Sequence, residues 1–319
     1  MFFQTAGIEI QPWIPPLVAF GISFFTSMGG VSGAFLLLPY QMSFLGYTSP
    51  SVSATNQLFN IVAIPSGVYR YWQEGRMVWP LAGIVTAGTL PGVLIGAIVR
   101  VKYLPDPKQF KVFAAVVLLY IGIRMIRDLL RKTTGVPIKD QSEKHLQERM
   151  KRYQTGIKVG CKTGLDSQPA VKLTHFNSRR FGYTFYDEQF DVSTRGIFSL
   201  SLIVGVIGGI YGIGGGAIIA PFFVTFFHLP VYTVAGAALM GTFVTSVAGV
   251  VFYQAIALFY SNMSIAPDWL LGILFGIGGM VGMYFGAQCQ KYVSAKVIKW
   301  MLSAIILFTA LKYAIDALR

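Results

Sequence analysis

GVSGAFLLLP (Gly30 to Pro39) aligns without a gap on GIGGGAIIAP (Gly212 to Pro221), keeping both ends and the Gly33/Gly215 pair. Further matches follow in the same order. Thr55, Gly75-x4-Pro80 and Gly92 line up with Thr242, Asn262-x4-Pro267 and Gly279. LLYIGIRMIRDLLR (Leu118 to Arg131) lies over ILFTALKYAIDALR (Ile306 to Arg319), with Arg124 over Lys312 and Asp128 over Asp316. Shared apolar composition does not by itself keep three separated stretches in register, so the chain reads as a duplication.

Each half divides into four apolar segments: residues 13 to 46, 51 to 72, 77 to 99 and 108 to 130, then 196 to 228, 232 to 260, 267 to 289 and 296 to 318. No charge lies between Ile10 and Tyr69, Met77 and Val99, Gly196 and Pro267, or Trp269 and Gln290. Such blocks hold membrane spans, which need about 20 mainly apolar residues each. Composition agrees, since the 319 residues are 54% hydrophobic and only 12% charged, against about 25% charged in soluble domains. The expected fold is an all-α polytopic membrane protein of two homologous halves.

The first segment of each half is too long for one simple span. Glycines interrupt it at Gly29, Gly30 and Gly33, and again at Gly208, Gly209, Gly212 and Gly214 to Gly216. Two half-helices joined by an unwound stretch fit better than one helix. Basic residues near segment ends divide nine to seven if these broken segments cross the bilayer, and ten to six if they re-enter. The re-entrant reading is favoured narrowly, and it makes the halves inverted repeats related by a pseudo-two-fold axis.

Net charge is +13, but 12 of the 26 basic residues sit with 7 of the 13 acidic ones between Arg131 and Thr194. That distribution follows the positive-inside rule and excludes a nucleic-acid face. The organisation is therefore a first membrane repeat over residues 1 to 130, a soluble cytoplasmic segment over 131 to 194, and a second repeat over 195 to 319. Within the middle segment, Lys139 to Tyr153 reads as a charged helix and Phe181 to Val192 as a β-hairpin.

Unwound backbone inside a bilayer costs several kcal/mol per unpaired group unless it is buried in protein or lines a watery cavity. Half-helices restarting at about Ser32 and Gly214 would aim free N–H groups and positive dipole ends into the bundle, which suits an anion. The candidate substrate-binding residues are therefore Gly30, Ser32 and Gly33, with Gly212, Gly214, Gly215 and Gly216. Thr55, Asn56 and Thr242 in the following segments add hydroxyl or amide donors; Gln57, Asn60, Thr245 and Gln254 share those segments. Close helix packing through small residues is the competing use of the glycines, and interhelical hydrogen bonding that of Gln57 and Gln254.

Glu74, Asp106, Asp128, Asp268 and Asp316 all fall at segment ends. Coupling through a buried carboxylate, the usual proton or sodium handle, is thus not expected. Arg124 and Lys312 sit about two turns inside equivalent segments, where snorkelling is the favoured account and a role in drawing anions toward the pore is the alternative. Cys161 and Cys289 form no ligand or disulfide spacing, so neither metal nor cofactor is expected.

YGIGGGAIIAP (Tyr211 to Pro221), LPVYTVAGAALMGTFVTSVAGVVFY (Leu229 to Tyr253), APDWLLGILFGIGGMVGMYFGA (Ala266 to Ala287) and the first-half copy SMGGVSGAFLLLPY (Ser27 to Tyr40) resemble the TauE/SafE (DUF81) sulfite exporter family. The resemblance covers nearly all of both membrane halves; the long central segment departs from shorter members. It implies a transporter, not an enzyme, for sulfite, thiosulfate, organosulfonates and related small anions in the cytoplasmic membrane of a prokaryote. Ser32 and Ala34 stand where the second copy has Gly214 and Gly216, so the half-sites are unequal. An anion channel of the same architecture is the alternative. A membrane-embedded enzyme is a weaker one, because histidine and cysteine are sparse. The expected partners are the anion and the lipid bilayer, with no nucleic acid and with a homo-oligomer left open.

Overall fold

A computed structural model of the chain describes residues 1–134, 171–185, 188–260, 263–290, 292–293 and 295–318. A two-stranded antiparallel hairpin, β1 (Phe2–Phe3) and β2 (Ile8–Glu9), precedes α1 (Ile14–Met28), α2 (Ala34–Ser43), α3 (Ser51–Gln73), α4 (Trp79–Lys102) and α5 (Pro107–Thr134). Strands β3 (Val171–Phe176), β4 (Arg180–Phe185) and β5 (Glu188–Ser193) follow, and then α6 (Thr194–Tyr211), α7 (Ile219–Phe226), α8 (Val231–Ala257), α9 (Trp269–Cys289) and α10 (Ala295–Leu318). The architecture is mainly helical. Helices α4, α6, α8 and α9 are long and apolar enough to cross a membrane. Helix α3 is less apolar because it carries Thr55, Asn56, Gln57 and Asn60, all fully buried in protein.

Both long first segments break where the glycines cluster. Helix α1 stops at Gly29, and Gly30 follows at φ +69°; α6 stops at Gly212, φ +74°, with Gly214 at +85°. These left-handed conformations are open to glycine at little steric cost. The second gap is longer than expected, since α7 starts at Ile219 and not near Gly214. Three consecutive glycines explain the delay, each about 1 kcal/mol poorer than alanine in a helix.

The hairpin expected over Phe181 to Val192 is present as β4 and β5, and β3 extends it to an antiparallel sheet of order β3-β4-β5. The all-α reading is corrected to that extent. Alternation along β4 buries Phe181, Tyr183 and Phe185 on one face, and Tyr183 Oη lies 2.8 Å from Thr233 Oγ1 near the start of α8. The helix expected over Lys139 to Tyr153 lies outside the described residues.

Helix packing follows the small residues. Helix α1 runs along α9 and α6 along α4; α3 packs on α9 and α8 on α4; α3 crosses α8, and α5 pairs with α10. Gly88 and Gly92 of α4 meet the carbonyls of Phe198 and Leu202 on α6, so closely that an added Cβ would stand 2.7 and 2.6 Å from those oxygens. Gly278, Gly282 and Gly286 of α9 press in the same way on Pro16, Phe20 and Phe24 of α1. This is small-xxx-small packing, which lets backbones touch where no hydrophobic effect drives helices together.

The helix ends fall into two groups. Ser51 N donates to Ser264 O at 3.0 Å, Ser264 Oγ to Thr5 O at 2.9 Å, and Ala6 N to Asp268 Oδ2 at 3.2 Å. The N-terminal hairpin, the start of α3 and the start of α9 therefore share one end of the bundle. At another point Arg76, between α3 and α4, donates through Nη1 to Gln290 Oε1 at 2.7 Å, just beyond α9.

Candidate functional site at the two helix breaks

The polar face of α3 ties the two breaks to each other. Asn56 Nδ2 donates to Ala34 O at 2.9 Å on the first break and to Gly212 O at 3.2 Å on the second. Asn60 repeats the link one turn on. Its Nδ2 donates to Ile213 O at 2.8 Å and to Ser246 Oγ at 3.1 Å, while its Oδ1 accepts from Ser32 Oγ. Ser32, Asn56, Asn60 and Ser246 are all 0% exposed. In such surroundings each amide–carbonyl bond carries more weight than in water, and each missing partner costs more.

The backbone of the breaks is only partly satisfied. Ser32 Oγ accepts from Ala34 N at 3.2 Å, and Thr245 Oγ1 accepts from Gly215 N at 3.0 Å. Among the described residues no acceptor engages the amides of Ser32, Gly33, Gly214 or Gly216. More than nine in ten buried backbone N–H groups in proteins are paired. Four open donors on the two turns are therefore chemically available to an acceptor from outside the chain.

Thr242 stands against the second break: a Cβ on Gly214 would lie 2.9 Å from its Cγ2, and one on Gly216 2.7 Å from its Oγ1. Its hydroxyl donates back to Ala238 O at 2.8 Å, leaving the oxygen able to accept. Gly215 is held against Thr89 and Val93 of α4, and Gly33 against Ser23 and Phe59. Gly30 packs on Ala235 of α8, a Cβ there falling 2.6 Å from the alanine Cβ. The structure thus gives Gly30 the packing role that glycine was also expected to serve.

Thr55 is brought elsewhere. Its Oγ1 accepts from Asp268 N at 2.8 Å and lies 2.9 Å from Tyr47 Oη, so it helps to start α9 while its neighbour Asn56 faces the breaks. Adjacent residues on a helix point about 100° apart, which separates the two. Among the described residues Gln57 finds no hydrogen-bond partner; its side chain is fully buried against Gly249 of α8. Interhelical hydrogen bonding, the role expected for it, is not what the structure assigns. Arg124 lies over the Phe226 ring at 3.9 Å, and Lys312 over Phe44 at 3.1 Å. Both cations are anchored on aromatic faces.

Asn60, Thr245 and Ser246 also meet the breaks; the first two were named in the sequence only as polar residues of those segments, and Ser246 was not named. The signal was present for Asn60, because Asn56 and Asn60 are one turn apart on one face. It was weak for Ser246, one of many small residues on α8.

Residues 16–313 match the family model described as Sulfite exporter TauE/SafE. Over 115 residues the chain is 24% identical to the probable membrane transporter protein YdhB of Bacillus subtilis (strain 168). That similarity covers 36% of this chain and 44% of the relative, so the chain spans less than half of the relative's length. No solved structure matches the chain.

Proposed function

The chain belongs to the sulfite exporter TauE/SafE family of membrane transporters, and on that premise we propose that it carries a small sulfur oxyanion, sulfite foremost, or an organosulfonate through the space between its two helix breaks. The observation that carries this reading is the pair of unwound turns tied together by Asn56 and Asn60, with amide donors left open on both. An anion leaving water must recover its lost hydrogen bonds or stay out. Ser32 and Gly33 offer amides from one turn, and Gly214 and Gly216 from the other. Gly215 and Gly212 shape the second turn, and Thr242 flanks it. No carboxylate is needed, since oriented N–H groups hold an anion without a protein countercharge.

The packing supports an inverted repeat. The contacts of α1 with α9 and of α3 with α9 are answered by α6 with α4 and α8 with α4. Arg124 over Phe226 is answered by Lys312 over Phe44, residues at equivalent places in the repeat. The N-terminal hairpin before α1 and the start of α3 after α2 lie together, which favours a re-entrant α1–α2 pair. Three crossings per half then follow, and an odd number inverts the second half. The membrane proposed is the cytoplasmic membrane of a prokaryote, in keeping with the bacterial relative.

A carrier is favoured over a channel because the polar groups around the breaks have no exposed surface; a passage closed at its centre must rearrange to release its cargo. The purified chain in proteoliposomes is expected to take up labelled sulfite saturably, and faster when unlabelled sulfite is trapped inside. Labelled thiosulfate, sulfate and an organosulfonate rank the substrates in the same assay. Uptake that stays linear with concentration and ignores trapped sulfite makes the protein a channel. Absence of flux for all four anions removes the proposed substrate class.

A further inference from the structure

Arg100 lies in the last turn of α4, fully buried at 0% exposure. Its guanidinium stacks on Phe110 of α5, 4.0 Å from the ring centroid, and Nη1 donates to Leu104 O. Among the described residues Nε and Nη2 have no hydrogen-bond partner and no carboxylate pairs with the charge. An arginine keeps its proton in a protein, so it cannot escape burial by becoming neutral. One carbonyl and one aromatic face compensate it only in part.

The electrostatic neighbours of Arg100 include two phenols. Tyr253 of α8 and Tyr313 of α10, both fully buried, lie within electrostatic reach of the guanidinium. Ser53 of α3 adjoins Tyr253 and also presses on Gly212, the left-handed residue of the second break. Tyr211, the residue before Gly212, stacks on Phe110 at 6.0 Å. A buried guanidinium with two open N–H donors matches a tetrahedral or pyramidal oxyanion, which it can grip through two oxygens, and phenols within its electrostatic reach can add donors.

We propose that Arg100, with Tyr253 and Tyr313, forms a second oxyanion site beside the second helix break, where the transported anion is held on its way to or from the breaks. This rests on the proposed transport of an oxyanion and adds a place to it. The rival role is structural: Arg100 would do no more than close the end of α4 through Leu104. The two roles differ in what removal of the charge does, because a merely structural arginine is missed with or without an anion.

The test is thermal unfolding and equilibrium binding of the full chain in a neutral detergent, with sulfite as the probe under anaerobic conditions. Wild type is expected to be stabilised by sulfite. Arg100→Met should melt no lower than wild type without sulfite, lose the sulfite-induced shift, and bind sulfite at least about tenfold more weakly. Arg100→Lys should restore part of the affinity. A folded Arg100→Met that binds like wild type overturns the proposal, and so does one that melts lower while its affinity is unchanged. Should Arg100→Met fail to fold, Tyr253→Phe decides: a severalfold loss of affinity at unchanged melting temperature supports the site, and unchanged affinity overturns it. A response to phosphatidylglycerol but not to sulfite makes the ligand a lipid phosphate and overturns the soluble anion. Absence of both sulfite binding and uptake in wild type overturns the transport reading as well, whereas normal uptake with unchanged affinity in Arg100→Met overturns the second site alone.

Discussion

Gly215→Val is expected to cut uptake roughly 10- to 100-fold in a protein that still folds and inserts. The backbone N–H of Gly215 is fixed on Thr245 Oγ1, and a Cβ would drive into Thr89 and Val93 of α4. Helix α4 cannot withdraw, because Thr89 and Val93 are themselves clamped against Gly205 and Gly209 of α6. The turn must move instead, carrying the open amides of Gly214 and Gly216 out of line. Overpacking of this kind costs about 1–3 kcal/mol, and each 1.4 kcal/mol taken from anion binding is about tenfold in affinity. Uptake measured beside a melting curve and a size-exclusion profile separates a lost site from a lost fold. Wild-type uptake by Gly215→Val would remove the second break from the site.

Asn60→Leu is expected to have the largest effect of any side-chain change at the breaks. It strips partners from Ile213 O, Ser246 Oγ and Ser32 Oγ together, three buried groups on three different elements. A buried group left unpaired costs about 1–3 kcal/mol, so stability should fall by several kcal/mol and the two breaks should lose their register. Asn56→Asp is the milder companion. It keeps the shape but exchanges the Nδ2 donor to Ala34 O and Gly212 O for a carboxylate. Its like charge should weaken sulfite binding roughly tenfold or more even where the fold survives. Equal sulfite affinity in Asn56→Asp and wild type contradicts a site between the breaks.

The breaks were legible in the sequence because glycine runs oppose helix so strongly that no packing restores it at Gly212 and Gly214. The hairpin over β4 and β5 was legible from strict alternation about a polar turn. Of the linking asparagines, Asn56 was a candidate donor, whereas Asn60 was named only as a polar residue of the same segment. Aligning the halves through Thr55 and Thr242 sets Phe243 and Val247 opposite Asn56 and Asn60, so a search for residues shared by both copies passes over the ones that join them. It also promoted Thr55, whose hydroxyl is used at the start of α9. Arg100 was not singled out, since the groups its charge senses, Phe110, Tyr253 and Tyr313, stand on three other helices. Sequence spacing along one element carries no trace of such an arrangement.

The most direct measurement is crystallographic: locating selenite, a heavier analogue of sulfite, by its anomalous scattering in the purified protein. The account predicts a peak between the two breaks, within about 3 Å of the open amides of Ser32 or Gly33 and of Gly214 or Gly216. A protein that transports selenite yet shows selenium only beside Arg124 or Lys312, or only beside Arg100, with the breaks empty, would contradict it.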